Sequence, residues 1–180
     1  MRKALATGLL MIALLLTGPA AARGSCGGRA EAAAGSMQRT RHAVRCLLNE
    51  IRADRGLPRL RGNPRLAAAA RRHTRAMVAG RFFAHEEPGG GTLVSRARAA
   101  GYLRRQGAWV LAENIAWGSQ GGTSPRVMVR MWMASPGHRA NIVSPAYRDI
   151  GIGIAIGTPF GGPGATYTTD FGRRHLHHQR

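Results

Sequence analysis

His85, Glu113 and His138 are the side chains of this chain best suited to chemistry. An imidazole titrates near neutral pH or ligates a transition metal, and two imidazoles with one carboxylate make a donor set that suits Zn²⁺ or another divalent ion with a coordination position left open. The same three groups can equally form a metal-free hydrogen-bonded network. Glu113 interrupts the apolar run LAENIAWG, where a carboxylate is costly unless something pairs with it. Gaps of 28 and 25 residues separate the three, far more than in a local metal motif, so only the fold can bring them together. Ser135, three residues before His138, invites a nucleophile role, yet it stands before Pro136-Gly137 and is more economically a residue that ends a helix. No G-x-S-x-G motif accompanies it.

The elements that must position these groups are well marked. Val44, Leu47, Leu48 and Ile51 fall at helical spacing and predict an amphipathic helix that stops near Gly56. Asn63-Pro64 reads as the cap and first position of a second helix, with Leu66, Ala70, His73 and Met77 on one face. His73 there reads as a buried histidine bonded to a neighbour. Phe82 and Phe83 anchor the next segment in the core, and Gly89-Gly90-Gly91 loosens the chain after it, which leaves His85 at the edge of a loop. Thr92 caps a short helix ended by Gly101. Residues 109–117 read as a largely buried strand, and Ser124-Pro125 opens a helix whose packing face is Val127, Met128, Met131 and Trp132. The break at Ser135-Pro136-Gly137 places His138 just beyond that helix. Residues 149–156 alternate, and with 165–171 they form a hairpin across a Gly/Pro-rich turn. Helices mixed with an antiparallel hairpin give an α+β layered domain.

The bulk properties add a compartment and a surface. Residues 1–22 have a basic start, a short apolar centre and Ala20-Ala21-Ala22, the pattern of a cleaved signal peptide, so the chain is expected to be secreted, extracellular or periplasmic. Residues 23–36 read as a flexible linker, 37–172 as the folded domain, and 173–180, with His175, His177 and His178, as a disordered basic tail. Loss of the leader takes the formal charge from +19 to +17. Such a charge favours anionic lipid or acidic cell-envelope components rather than nucleic acid, although the scattered arginines also fit a merely solvated basic surface. Cys26 and Cys46 stand 20 positions apart in a disulfide-permissive compartment; a bridge is favoured over a lipidated Cys26 or two free thiols.

The segments FFAHEEPGG, LAENIAWG and WMASPGHRANIVSPAYRDIGIGIA, in that order, resemble the bacterial branch of the CAP superfamily, the SCP-like extracellular domains. The resemblance spans roughly residues 37–172. It implies an α-β-α sandwich, with a small antiparallel sheet between helical layers and a cleft at one end. That cleft is typically lined by two histidines and two acidic residues, and His85, Glu113 and His138 match three of the four positions. The fourth does not carry over: where many members have Trp-x-x-Glu, this chain has Trp132-Met-Ala-Ser135, which makes Ser135 the candidate for that place. The resemblance implies divalent-metal binding and lipid or envelope binding without an agreed catalytic role. The alternative is a metal-dependent hydrolase acting on peptide or cell-wall bonds.

Overall fold

The computed structural model describes Cys26 and residues 36–104 and 107–175. The leader, nearly all of the linker, and positions 176–180 of the tail lie outside the described residues. The chain begins with α1 (Met37–Ala53), whose first turn is capped by the Ser36 hydroxyl, then β1 (Arg61–Gly62) and α2 (Pro64–Ala79). The Asn63 carboxamide accepts from the amides of Arg65 and Leu66, as its place before Pro64 predicts. Next come α3 (Leu93–Ala99), β2 (Ala108–Ser119), a 3₁₀ turn (Gln120–Thr123), α4 (Pro125–Ala134), α5 (Pro136–Val143), β3 (Asp149–Ile156) and β4 (Gly164–His175). Thr92 and Ser95 form a reciprocal capping box on α3, and Gly101 beyond it takes φ of +72°, open to glycine at little cost.

One four-stranded sheet, in the order β1-β3-β4-β2, separates two helical layers, which gives the α-β-α sandwich. The β3/β4 and β4/β2 pairs are antiparallel. β1 adds in parallel at Asp149 and Ile150, so the sheet is mixed rather than wholly antiparallel. Ile150, Ile152, Ile154, Tyr167 and Phe171 point to the layer of α1, α4 and α5, where they pack with Val44, Leu48, Met128, Trp132 and Ile142. Met131, expected on that face, is exposed. On the other face Gly151 and Gly153 let α2 approach main chain to main chain; a Cβ at either would collide with the backbone of Leu66 and Ala67 or of Ala70.

β4 does not stop where the sequence pattern fades. Arg173, Arg174 and His175 pair with Val110, Trp109 and Ala108, so these three positions belong to the sheet and not to a disordered tail. Backbone pairing with a long neighbour supplies what their side chains do not signal. The Arg174 guanidinium lies 4.8 Å from the Tyr102 ring centroid, a cation–π contact at this end of the strand. At the other end of the chain Cys26 and Cys46 are joined, with their Cα atoms 5.9 Å apart. A closed loop of this size stabilises by about 3 kcal/mol, and it ties the start of the chain to α1.

Candidate functional site

Strand alternation decides what Glu113 can reach. In β2 its side chain faces the α2/α3 layer, opposite Asp170 of β4, whereas Asn114 faces α5. The Glu113 carboxylate is buried and both oxygens are engaged. Oε1 meets His85 Nδ1 at 2.8 Å, and Oε2 accepts from the Arg96 guanidinium at 2.7 Å. Arg96, fully buried on α3, also donates to the carbonyls of His85 and Gly91 at 3.0 Å each. One guanidinium thus fixes the carboxylate and the loop that carries its histidine.

These contacts set the charge states. Burial alone would raise the Glu113 pKa, but the His85 hydrogen bond and the charges of Arg96 and His73 bring it below the ordinary carboxylate value. The His85 pKa is raised, chiefly by its hydrogen bond to Glu113, although partial burial opposes this. The His85 side chain is 57% exposed, and Nε2 is left without a partner among the described residues.

His138 follows the break that its Pro-Gly context predicts, but a second helix begins there. The break at Ser135 ends α4 as expected, so His138 lies just beyond that helix, but Pro136 at once starts α5 and puts His138 in the first turn of a further helix. Asn114 Nδ2 donates to the His138 carbonyl at 3.0 Å, and Asn141 Nδ2 to Asn114 Oδ1 at 2.8 Å, which fastens α5 to the free edge of β2. The His138 pKa is lowered by burial and then by the positive charge of His85, so the two rings share one electrostatic neighbourhood. No hydrogen bond or ion pair links His138 to Glu113 among the described residues. Ser135 makes no capping hydrogen bond, and nothing described ties its hydroxyl to the cleft.

The three-ligand centre therefore divides. Among the described residues, ligand atoms of His85, Glu113 and His138 do not all come within 4.8 Å of one another; the one group that does is Cys26, Cys46 and Glu50, whose sulfurs are already bonded to each other. With Oε1 on His85 and Oε2 on Arg96, Glu113 is placed to orient the histidine through Nδ1.

Three residues of the site lay outside the sequence candidates. Arg96 gave no signal, being one arginine among many. His73 is fully buried and bonded to neighbours, as its place in the apolar stripe predicts, but these neighbours join it to the site: Glu87 Oε1 lies 3.3 Å from Nδ1, Glu113 Oε1 3.7 Å from Nε2, and Nε2 also bonds the Ala84 carbonyl at 3.0 Å. Its pKa is lowered by burial, against the pull of the Glu113 charge. Asp170 is completely buried on β4, in register with Glu113 on one side and Gly151 on the other, and neither of its oxygens has a hydrogen-bond partner among the described residues. Burial first, then the Glu113 charge, pushes its pKa well above the usual carboxylate range. A lone carboxylate in the β-prone run Tyr167-Thr-Thr-Asp-Phe171 was the available signal, the same one that singled out Glu113.

Residues 47–169 match the family model described as the cysteine-rich secretory protein family, CAP. The chain is 32% identical over 107 residues to the uncharacterized protein YkwD of Bacillus subtilis; the match takes in 59% of this chain and 39% of that protein. Among solved structures it is similar to an extracellular protein containing a SCP domain from Bacillus anthracis, with a TM-score of 0.59 and 24% identity over 76% of this chain and 43% of that one. It is also similar to an outer surface protein of Borrelia burgdorferi, with a TM-score of 0.66 and 18% identity over 78% of this chain and 96% of that one. At such identities the likeness is one of fold.

Proposed function

The chain belongs to the cysteine-rich secretory protein (CAP) family, and from that premise we propose that it is an exported, non-enzymatic binding domain whose cleft holds a divalent metal between His85 and His138 and engages an anionic lipid or envelope component. The observation that carries this reading is the state of Glu113. A metal-dependent hydrolase needs a carboxylate free to take a proton from an attacking water. Here Oε1 meets His85 and Oε2 accepts from Arg96, an arrangement that orients the histidine and supports the binding reading.

The chemistry that a bound divalent ion supplies is a Lewis-acidic position for an anionic oxygen of the ligand. The protein's own part is to present the imidazoles. Glu113 fixes the His85 ring through Nδ1 and leaves Nε2 facing outward, and Arg96 holds both the carboxylate and the loop in place. Asn114 and Asn141 anchor the first turn of α5 that carries His138. Export is supported by the leader pattern of residues 1–22, by the extracellular and outer-surface descriptions of the similar structures, and by the Cys26–Cys46 bridge. Among the described residues no helix is long and apolar enough to cross a membrane.

Isothermal titration of the purified chain with Zn²⁺ tests the reading. Uptake should be lost in His85→Ala and in His138→Ala, and weakened about 10–100-fold in Glu113→Gln. Full uptake by the His138 variant would remove the proposed centre. Vesicles containing anionic lipid should bind the wild-type chain, and a peptide and peptidoglycan panel should show no turnover; metal-dependent turnover abolished in Glu113→Gln would install the hydrolase instead.

A further inference from the structure

β3 has a strand neighbour on its outer side for only part of its length. β1 pairs with it at Asp149 and Ile150, Asn63 donates to the Ile150 carbonyl at 2.9 Å, and the chain then leaves as α2. β3 runs on to Ile156. In its register with β4, the odd-numbered residues turn their amides and carbonyls toward β4, as the Gly157 N–H to Gly164 carbonyl bond of 2.8 Å continues to show. The even-numbered ones turn toward β1. Beyond its end, the main-chain groups of Ile152, Ile154 and Ile156 therefore point out of the sheet, and among the described residues none has a hydrogen-bond partner on that side. Ile152 and Ile154 are only 5% and 6% exposed, and backbone groups left unpaired at such burial are costly.

Two pockets open along this edge, between the helical layers. One of about 250 Å³ is lined by Ile150 and Ile152 with Arg41 and Arg45 of α1. The other, of about 510 Å³, is lined by Ile154 and Ile156 with Arg41, Arg71 and Arg75, the last two from α2. None of these four arginines forms an ion pair among the described residues. The Arg41 pKa is lowered by burial and by the charge of Arg71 across the gap.

We propose that this groove is a docking site for an extended acidic peptide, which adds to the sheet as a strand beside residues 152–156 while its carboxylates meet Arg41, Arg45, Arg71 and Arg75. The unpaired β3 amides and carbonyls, spaced two residues apart, are complementary to a strand backbone and to nothing in an acyl chain, which would leave them unsatisfied. A second copy of this chain, edge to edge, would set the same arginines against one another. An acidic peptide satisfies both the backbone and the charge. The groove flanks β3, on the opposite side of the sheet from the β2 edge that carries the His85 cleft, so the proposal does not depend on the metal reading.

The test is fluorescence anisotropy of the purified chain with an end-blocked, labelled peptide of alternating Glu and Val, about eight residues and so roughly 26 Å long. Saturable binding is expected, and N-methylation of alternate amides in the register that faces β3 should weaken it by about ten-fold or more. The double variant Arg41→Glu/Arg71→Glu should bind at least about ten-fold more weakly with an unchanged thermal melt, and His85→Ala should bind like the wild type. Three results each overturn the proposal: no saturable binding, equal binding of both N-methylated registers, or equal binding by the charge-reversed variant. Saturable uptake of a single-chain acyl anion such as palmitate, with none of the peptide, assigns the groove to an apolar ligand and also overturns it.

Discussion

The two faces of the sheet are built from the same strands and do opposite work. Toward α1, α4 and α5 the strands present Ile150, Ile152, Ile154, Tyr167 and Phe171 to a continuous apolar core around Trp132, whose indole N–H is satisfied by the Ile115 carbonyl at 3.1 Å. Toward α2 and α3 they present Gly151, Gly153, Thr168, Glu113 and Asp170. The first face gains from the area it removes from water and tolerates small changes of shape. The second is close-packed through backbone and polar contacts, so each group depends on a particular partner. That dependence is why the site residues sit there: a buried carboxylate that must be paired is one whose position is fixed.

Truncation of Arg96 gives the largest effect and the sharpest form of this contrast. Arg96→Ala leaves one oxygen of the buried Glu113 carboxylate without its cation and frees the His85 loop, and should cost about 3–5 kcal/mol in urea unfolding. A loss below about 1 kcal/mol would mean that the polar face is no more exacting than a surface. The next effect compares neighbours on one strand. Gly153→Ala drives a methyl group into Ala70 and should cost about 1–3 kcal/mol, whereas Ile152→Val on the apolar side should cost about 0.5–1.5 kcal/mol. The reverse order would erase the distinction between the faces.

The smallest signal is a slope. The folded Asp170 pKa lies well above 3.8, so its proton is held more tightly in the folded state than in the unfolded one. Its contribution is present below that ordinary value and is lost as pH rises from about 4 through the raised folded value, by at most about 1.4 kcal/mol per pH unit. Asp170→Asn needs no such proton. Its unfolding free energy should fall less steeply with pH than that of the wild type, and identical slopes would mean that Asp170 is already ionised.

Much of the scaffold was legible in local chemistry. Asn63-Pro64, Thr92 with Gly101, and Ser124-Pro125 mark helix ends because the groups that satisfy a helix terminus lie within a few residues of it. Cys26 and Cys46 were legible because compartment and count leave few pairings. His85 and Glu113 were found because a loop histidine after an aromatic anchor and a charge in an apolar strand are both anomalies of their own segments. The junction at Ser135 was legible as the end of α4 but not as the start of α5, since Pro136 can start a helix as readily as it can follow the end of one.

Residue order alone carries the helix caps, the alternation of β3, the fold class, and the identity of the charged group that must be paired. The partners were chosen by the packing of the folded chain. Arg96, one arginine among many, was chosen for Glu113 because α3 packs over β2, and Asp170 became its neighbour because strands remote in sequence fell into register. The physical reason is range. Caps and turns are satisfied within a few residues, whereas a buried charge is satisfied by whatever the packing of distant elements brings within about 3 Å, and no local pattern records that choice.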